Sequence, residues 1–272
     1  MIGDMVDGDK PLAYVLGTQP FHPLVHPLLV RPPTLIPRPE TEHWVSILAA
    51  RILSSSSASP PPTSADPPPF RLLDIGTGSG CIALALTAHL RSAGRAVQCT
   101  AVDCAPTALA LAAENAAHQS LSDVVAVREA DLFSPSFAAA VTDGGGGFDL
   151  VVSNPPYITR AEYAELDPSV RAWEDRGALV GEERARTAGA NDDDGLVFYR
   201  RIVSLLDELL SSRFRGPGTA PVVAFEVGQG QARAVERLVR AWSGADGVRL
   251  ETDVVQDPWG VERAVFARWR DE

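Results

Sequence analysis

Short apolar runs alternate along this chain with longer segments whose apolar residues recur on one helical face, and that alternation sets the architecture. Arg71 to Ile75 (RLLDI) is compact, apolar and followed by glycines, as a buried parallel strand requires. Cys81 to Leu90 is helical, with Ile82, Ala85, Leu86 and Leu90 on one face. Cys99 to Asp103 reads as a second strand, Pro106 to Ala117 as a helix with proline in its first turn, and Val124 to Val127 as a third strand. Phe148 to Ser153 (FDLVVS) is a fourth, stopped by two prolines. Leu196 to Ser212 predicts one long amphipathic helix, Val222 to Val227 a fifth strand, and Gln231 to Trp242 another helix. Arg249 to Val255 and Ala264 to Trp269 are strands joined by the turn Asp257–Pro258–Trp259–Gly260, a connection short enough to favour an antiparallel pair. The expected fold is α/β: a doubly wound sheet with a C-terminal antiparallel hairpin. Three stretches interrupt it as expected flexible surface loops: the Ser/Pro run 54–69, the glycine run within 143–147, and the acidic segment 182–194.

Composition narrows the class without naming a chemistry. Hydrophobic residues make up 45% of 272 positions, enough for a sizeable core, and no apolar stretch is long enough to span a membrane. Lys and Arg number 24 against 35 Asp and Glu, giving a net charge of −11. Such a chain repels nucleic-acid phosphates over most of its surface and disfavours nucleic acid as the direct substrate. Cys81, Cys99 and Cys104 lack CxxC spacing and read as small apolar residues of a reducing compartment. His22 and His26 have HxxxH spacing, but Pro23 between them disrupts a helix and no third ligand is evident, so no metal is expected. The N-terminus carries Asp4, Asp7 and Asp9 and no Arg, so neither a secretory signal nor a transit peptide is visible.

The chemistry gathers at the carboxyl ends of the strands. Asp74–Ile75–Gly76–Thr77–Gly78–Ser79–Gly80 follows the first strand and opens the first helix, a turn whose glycines let backbone approach a ligand. Its G-x-G-x-G spacing differs from the dinucleotide G-x-G-x-x-G. Asp103, ending the second strand, can accept hydrogen bonds from both hydroxyls of a ribose, although a lone aspartate there also serves as a helix cap. After the third strand, Asp131 can take an adenine amino proton while Leu132 covers the ring. Asn154–Pro155–Pro156–Tyr157 ends the fourth strand on the same edge. A planar NH2 group needs two acceptors, and the Asn154 side-chain oxygen and Pro155 carbonyl can supply them. Holding both protons fixes the nitrogen with its lone pair toward the methyl group of a sulfonium, while Tyr157 packs against the plane. That transfer needs no strong general base, because the proton can leave after the carbon–nitrogen bond forms.

With these residues in place, the chain resembles the HemK/PrmC family of release-factor glutamine methyltransferases, through motifs that run from residue 11 to residue 269. They are Pro11–Leu12–Ala13–Tyr14–Val15–Leu16–Gly17, Leu35–Ile36–Pro37–Arg38–Pro39–Glu40–Thr41–Glu42, the glycine turn, Asn154–Pro155–Pro156–Tyr157–Ile158, Asp194–Gly195–Leu196 and Phe225–Glu226–Val227–Gly228. The resemblance implies a class I, Rossmann-like methyltransferase fold and S-adenosylmethionine as methyl donor. It implies as substrate the glutamine of the Gly-Gly-Gln motif in peptide chain release factors. Carried over, Asp74, Gly76, Thr77, Gly78, Ser79, Gly80, Asp103, Asp131, Leu132 and Asn154 contact the cofactor. Asn154, Pro155, Pro156 and Tyr157 hold and methylate the amide, and Arg38 contacts the substrate. The ending Asp257 to Arg263 is similar to eukaryotic, particularly fungal mitochondrial, members, which implies a mitochondrial compartment; a monomer is expected. Residues 35–272 are expected to be the catalytic domain, with 1–34 a remnant of the family's N-terminal recognition region and a linker hairpin. Glu174–Asp175–Arg176 stands where the family has Glu-Pro-Arg.

Two other readings use the same residues. Asn-Pro-Pro-Tyr also serves amino methyltransferases of adenine N6 and guanine N2, although no Lys/Arg-rich target-recognition segment is present. A non-catalytic scaffold would show a damaged glycine turn or a replaced Asn154, and neither is seen.

Overall fold

The computed structural model describes residues 9–55, 68–142, 146–181, 193–212 and 220–270. Near the front, helix α1 (Leu12–Leu16) leads into a two-stranded antiparallel ladder of β1 (Thr18–Gln19) and β2 (Leu28–Leu29). Helix α2 (Pro39–Ser54) follows, then β3 (Phe70–Ile75), α3 (Cys81–Ser92), β4 (Val97–Asp103), α4 (Pro106–His118), β5 (Val125–Glu129), α5 (Phe137–Thr142) and β6 (Leu150–Ser153). Three short helices, α6 (Arg160–Glu165), α7 (Pro168–Trp173) and α8 (Arg176–Leu179), precede α9 (Val197–Ser204), α10 (Leu206–Leu209), β7 (Val223–Glu226), α11 (Ala232–Ala241), β8 (Leu250–Gln256) and β9 (Glu262–Trp269).

Seven strands form one sheet in the order β5-β4-β3-β6-β7-β9-β8. The first five run parallel, while β9 is antiparallel to both β7 and β8. The expected doubly wound sheet with its C-terminal hairpin is therefore what forms. Helices cover both faces, which is why β3, β6 and β7 are buried almost throughout rather than alternating. One core joins α2, α3 and the end of α4 to the sheet; the other joins α5, α9, α10 and α11 to the opposite face.

Helix α2 is the main element that apolar periodicity alone did not announce. Pro39 stands in its first turn, and Thr41, Trp44, Val45, Leu48, Ala49 and Ile52 form its buried stripe. This helix also lies over α3, so Ile82 through Thr87 are all buried there instead of the single face expected. Phe21 and Leu28 enter the same core.

The long helix expected over Leu196 to Ser212 is two helices. At Leu205 the ladder tightens to three-residue spacing, with Leu205 N–H donating to Ile202 at 3.0 Å. The chain then leaves the helix because Phe148 and Leu210 form a parallel bridge, in which Ser211 N–H reaches the Phe148 carbonyl. The same bridge corrects the fourth strand, whose regular pairing begins at Leu150 and not at Phe148. Of the three expected loops, 56–67, 143–145 and 182–192 lie outside the described residues; Ser54 closes α2.

Register positions the site. Val102, Ile75, Ser153 and Phe225 are paired across β4, β3, β6 and β7 in one row. Asp103, Gly76, Asn154 and Glu226 each stand one residue beyond it, side by side on the carboxyl edge. The chain order reverses between β3 and β6, the switch point where open α/β sheets take ligands.

Candidate active site

The glycine turn is built from backbone outward. Gly76 and Thr77 N–H groups donate to the Val102 carbonyl at 2.8 and 2.9 Å, and Gly80 N–H donates to Thr77 at 2.8 Å. Gly80 lies at φ +85°, and a Cβ there would come within 3.2 Å of Leu84, so the turn and the start of α3 both require glycine. The Thr77 hydroxyl points inward, donating to Asp74 Oδ2 at 2.7 Å, and Ser79 is also buried. The turn therefore presents backbone to the cleft, and the side chains of Asp74, Thr77 and Ser79 support it from beneath.

Asp103 is both cap and wall. Its Oδ2 accepts from Gly78 N–H at 3.0 Å, and its Oδ1 from Cys104 and Ala105 N–H at 2.8 and 2.9 Å. It nevertheless lines a cleft together with Gly76, Asp131, Leu132, Phe133 and Pro155. Phe198 adds an apolar wall that sequence reasoning missed, its ring 5.0 Å from Phe133 in a T-shaped pair. Arg201, also missed, holds the Leu132 and Ser134 carbonyls at 3.0 and 3.1 Å and so fixes that lip.

The chemistry of this cleft suits a nucleoside-bearing cation on two observations. A partly buried carboxylate faces it beside an apolar slot formed by Leu132, Phe133 and Phe198. Behind the turn, Asp74 Oδ1 is buried without a hydrogen-bond partner among the described residues. Burial raises that carboxyl group to about 7, despite hydrogen bonds from Thr77 and Ala83. A cation arriving at the turn favours its ionised form.

Asn154 and Tyr157 open onto a second hollow, across Pro155 from the first, which they line with Arg38, Leu179 and Glu226. It measures about 140 Å³, several times the roughly 30 Å³ that a water occupies in the liquid, so a side-chain amide fits. Pro155 touches both hollows and is the partition between them. The Ser153 hydroxyl donates to the Ile75 carbonyl at 2.7 Å, tying the end of β6 to that of β3.

Arg38 gives both carboxylate oxygens of Glu174 a hydrogen bond of 2.7 Å from Nη2, and the Glu174 side chain is 1% exposed. It thus binds the segment before α2 to the loop before α8. Asp175 strengthens that join where the family pattern has proline: its N–H donates to the Pro33 carbonyl at 2.7 Å, a bond proline cannot make.

A clamp around Tyr157 was not legible in the motifs. Gln231 Nε2 donates to the Tyr157 carbonyl, and Gln231 Oε1 accepts from Gly228 N–H, both at 3.0 Å. Gly195, at φ +69°, passes so close that a Cβ would lie 2.2 Å from the Tyr157 carbonyl oxygen. The Asp-Gly-Leu motif therefore exists to let α9 approach the acceptor loop. Gln231→Ala is expected to leave cofactor affinity within about twofold and to lower transfer roughly fivefold, from the loss of about 1 kcal/mol of loop anchorage. Single-turnover rates beside calorimetry check this, and an unchanged rate would show that the loop holds its shape alone.

The paired histidine spacing dissolves in three dimensions: His22 packs edge-on against His89 at 5.3 Å, and His26 against His118 at 5.1 Å. Among the described residues no cluster of potential metal ligands is found.

Residues 64–167 match the family model of the methyltransferase small domain. Among solved structures, the catalytic domain of human Mettl16, captured with an RNA hairpin, aligns with 90% of this chain and 76% of its own at TM-score 0.56 and 18% identity. Human methyltransferase 10 domain containing protein aligns at TM-score 0.51 and 18% identity over 88% and 86%. These likenesses, remote in sequence, concern the fold. Together with the glycine turn and the cleft they define a class I methyltransferase, with S-adenosylmethionine as its cofactor. Curated relatives are closer. A release factor glutamine methyltransferase of Geobacter sulfurreducens is 37% identical over 95% of this chain and 73% of its own length. Those of Bacteroides thetaiotaomicron and Bacillus cereus are 34% and 33% identical over 95% and 94% of this chain, and 76% of theirs. The chain belongs to the release factor glutamine methyltransferase family.

Proposed function

We propose that this protein transfers a methyl group from S-adenosylmethionine to the side-chain amide nitrogen of the glutamine in the Gly-Gly-Gln motif of a peptide chain release factor. Family membership supports the activity, and the observation that carries the geometry is the partition at Pro155. One hollow carries the lining a nucleoside calls for, the other has room for a planar amide, and Pro155 borders both.

The cofactor supplies a methyl group on a positively charged sulfur. Asp103 would accept from the ribose, Asp131 and Leu132 would hold the base with Phe133 and Phe198, and Gly76 to Gly80 would bring backbone alongside. Asn154 Oδ1 and the Pro155 carbonyl each accept one proton of the substrate NH2. Pro156 keeps that backbone stiff, and Tyr157 closes over the amide plane. Arg38, held by Glu174, flanks the substrate. Rate comes from alignment, since fixing a reacting pair in a near-attack geometry replaces a bimolecular search.

This reading takes residues 35–272 as the catalytic domain of a monomer working in a mitochondrion. The compartment rests on the ending Asp257 to Arg263 alone, and the relatives named above are bacterial. To test the activity, labelled S-adenosylmethionine is incubated with the protein and candidate release factors, and the label is located by mass spectrometry. Label on the Gly-Gly-Gln glutamine is expected; label on nucleic acid only, or on no substrate, overturns the reading.

A further inference from the structure

Glu226 lies in the same row as Asp103, Gly76 and Asn154, one residue past the last rung shared by the strands. Its two oxygens have different surroundings. Oε2 accepts from the Thr41 hydroxyl at 2.6 Å and from the Trp44 indole at 2.8 Å, both on α2. Oε1 has no hydrogen-bond partner among the described residues and is not sealed in, and Glu226 lines the acceptor hollow with Asn154 and Tyr157. A neutral glutamine would anchor Thr41 and Trp44 equally well without the cost of burying a charge. The anchor alone therefore does not account for a carboxylate here.

We propose that Glu226 Oε1 is the group that receives the proton leaving the substrate nitrogen. This rests on the amide-methylation reading of the site. The amide nitrogen's lone pair forms the new N–CH3 bond as the S–CH3 bond breaks, and that bond's electron pair stays on sulfur. The positive charge passes from sulfur to nitrogen. One N–H bond then breaks, its electrons returning to nitrogen, and the proton leaves the carbonyl oxygen that held it, at Asn154 or Pro155, for Oε1 across the same hollow before passing to solvent. A base so placed need not be strong, because the charged nitrogen is a strong acid; it needs to be near and unprotonated.

The charges facing Glu226 fit that role. Arg38 is held by Glu174, and Arg263 by Asp257 at 2.9 Å, with Glu40 at 3.8 Å, so neither guanidinium neutralises Glu226 directly. Tyr157, Tyr199 and Cys81, which face it from the acceptor loop, α9 and α3, have their ionisation suppressed chiefly by burial and stay neutral. Burial raises the Glu226 carboxyl above the usual range, hydrogen bonds from Thr41 and Trp44 lower it, Glu40 raises it and Arg263 lowers it. A raised carboxyl is protonated as pH falls, so transfer should show an acid limb above the ordinary glutamate range of about 4.3.

The test is single-turnover transfer to a Gly-Gly-Gln peptide across pH for the wild-type chain, E226Q and T41V. Glutamine keeps an acceptor for Thr41 and Trp44 and puts an NH2 group where Oε1 stood. T41V loosens the same anchor and keeps the carboxylate. The inference expects E226Q to retain its melting temperature and affinity for S-adenosylhomocysteine, to fall at least about tenfold at neutral pH, and to lose the acid limb. T41V keeps the limb. An E226Q rate within threefold of wild type, or an acid limb surviving in E226Q, overturns the proton-acceptor role. Wild-type transfer to the peptide is scored separately: its failure would sink the amide-methylation reading and this inference with it, whereas an unaffected E226Q would sink this inference alone.

Discussion

Replacing Asn154 by alanine is expected to lower single-turnover methyl transfer about 10²- to 10³-fold while affinity for S-adenosylhomocysteine changes by less than about threefold. The magnitude follows from what is lost: one of two acceptors that fix the substrate NH2, a misalignment of the kind that costs about a hundredfold or more. Asn154 is half-buried at the end of β6, next to the buried Pro155, and it lines the acceptor hollow but not the cofactor cleft. The two effects are thereby separable. Calorimetry and rapid-quench kinetics on the same preparation decide it, and near-normal turnover would sink the proposed acceptor geometry.

Asp103→Ala acts on the other hollow. The ribose hydroxyls lose a charge-assisted acceptor, for which about 1.5–3 kcal/mol is expected, or about 10- to 150-fold in affinity. The three N–H groups of Gly78, Cys104 and Ala105 lose their acceptor as well. The glycine turn therefore loosens, and the melting temperature should fall with affinity. Asp103→Asn sharpens the test, since one of its atoms becomes a donor facing backbone N–H groups; it too should bind weakly. Full affinity in a folded Asp103→Ala protein would place the ribose elsewhere.

The sheet was legible because its central strands are short, mostly apolar runs, two of them cut off by glycine or proline, signals that depend on neighbours in sequence. Ile75, Asp103 and Ser153 end strands where expected. Helix α2 escaped because Ile47, Ala50 and Leu53 blur the stripe formed by Trp44, Leu48 and Ile52, and only the motif around Arg38 drew attention to its start. The break at Leu205 escaped for a different reason: the apolar stripe runs on through Leu206 and Leu209, and a distant partner, Phe148, draws the chain off the helix. In the site, residues carried by motifs were found, whereas Phe198, Arg201 and Gln231 were not. Each acts on a loop far away in sequence, on Phe133, Leu132 and Tyr157 in turn. Glu226 was visible within a motif, but its contact with Thr41 and Trp44 needs the fold to bring α2 onto the end of β7.

The strand order has a consequence for how such a protein can change. The walls of the nucleoside cleft come largely from β3, β4 and β5 and the turns that follow them, and the walls of the acceptor hollow from β6, β7 and the segments around α2 and α8. The two sets meet at Pro155. Mutations that reshape the target hollow can therefore accumulate on one side of the switch point while the methyl-donor side stays under its own constraint. New acceptor chemistry becomes reachable by stepwise drift or by grafting one half, with donor affinity inherited intact.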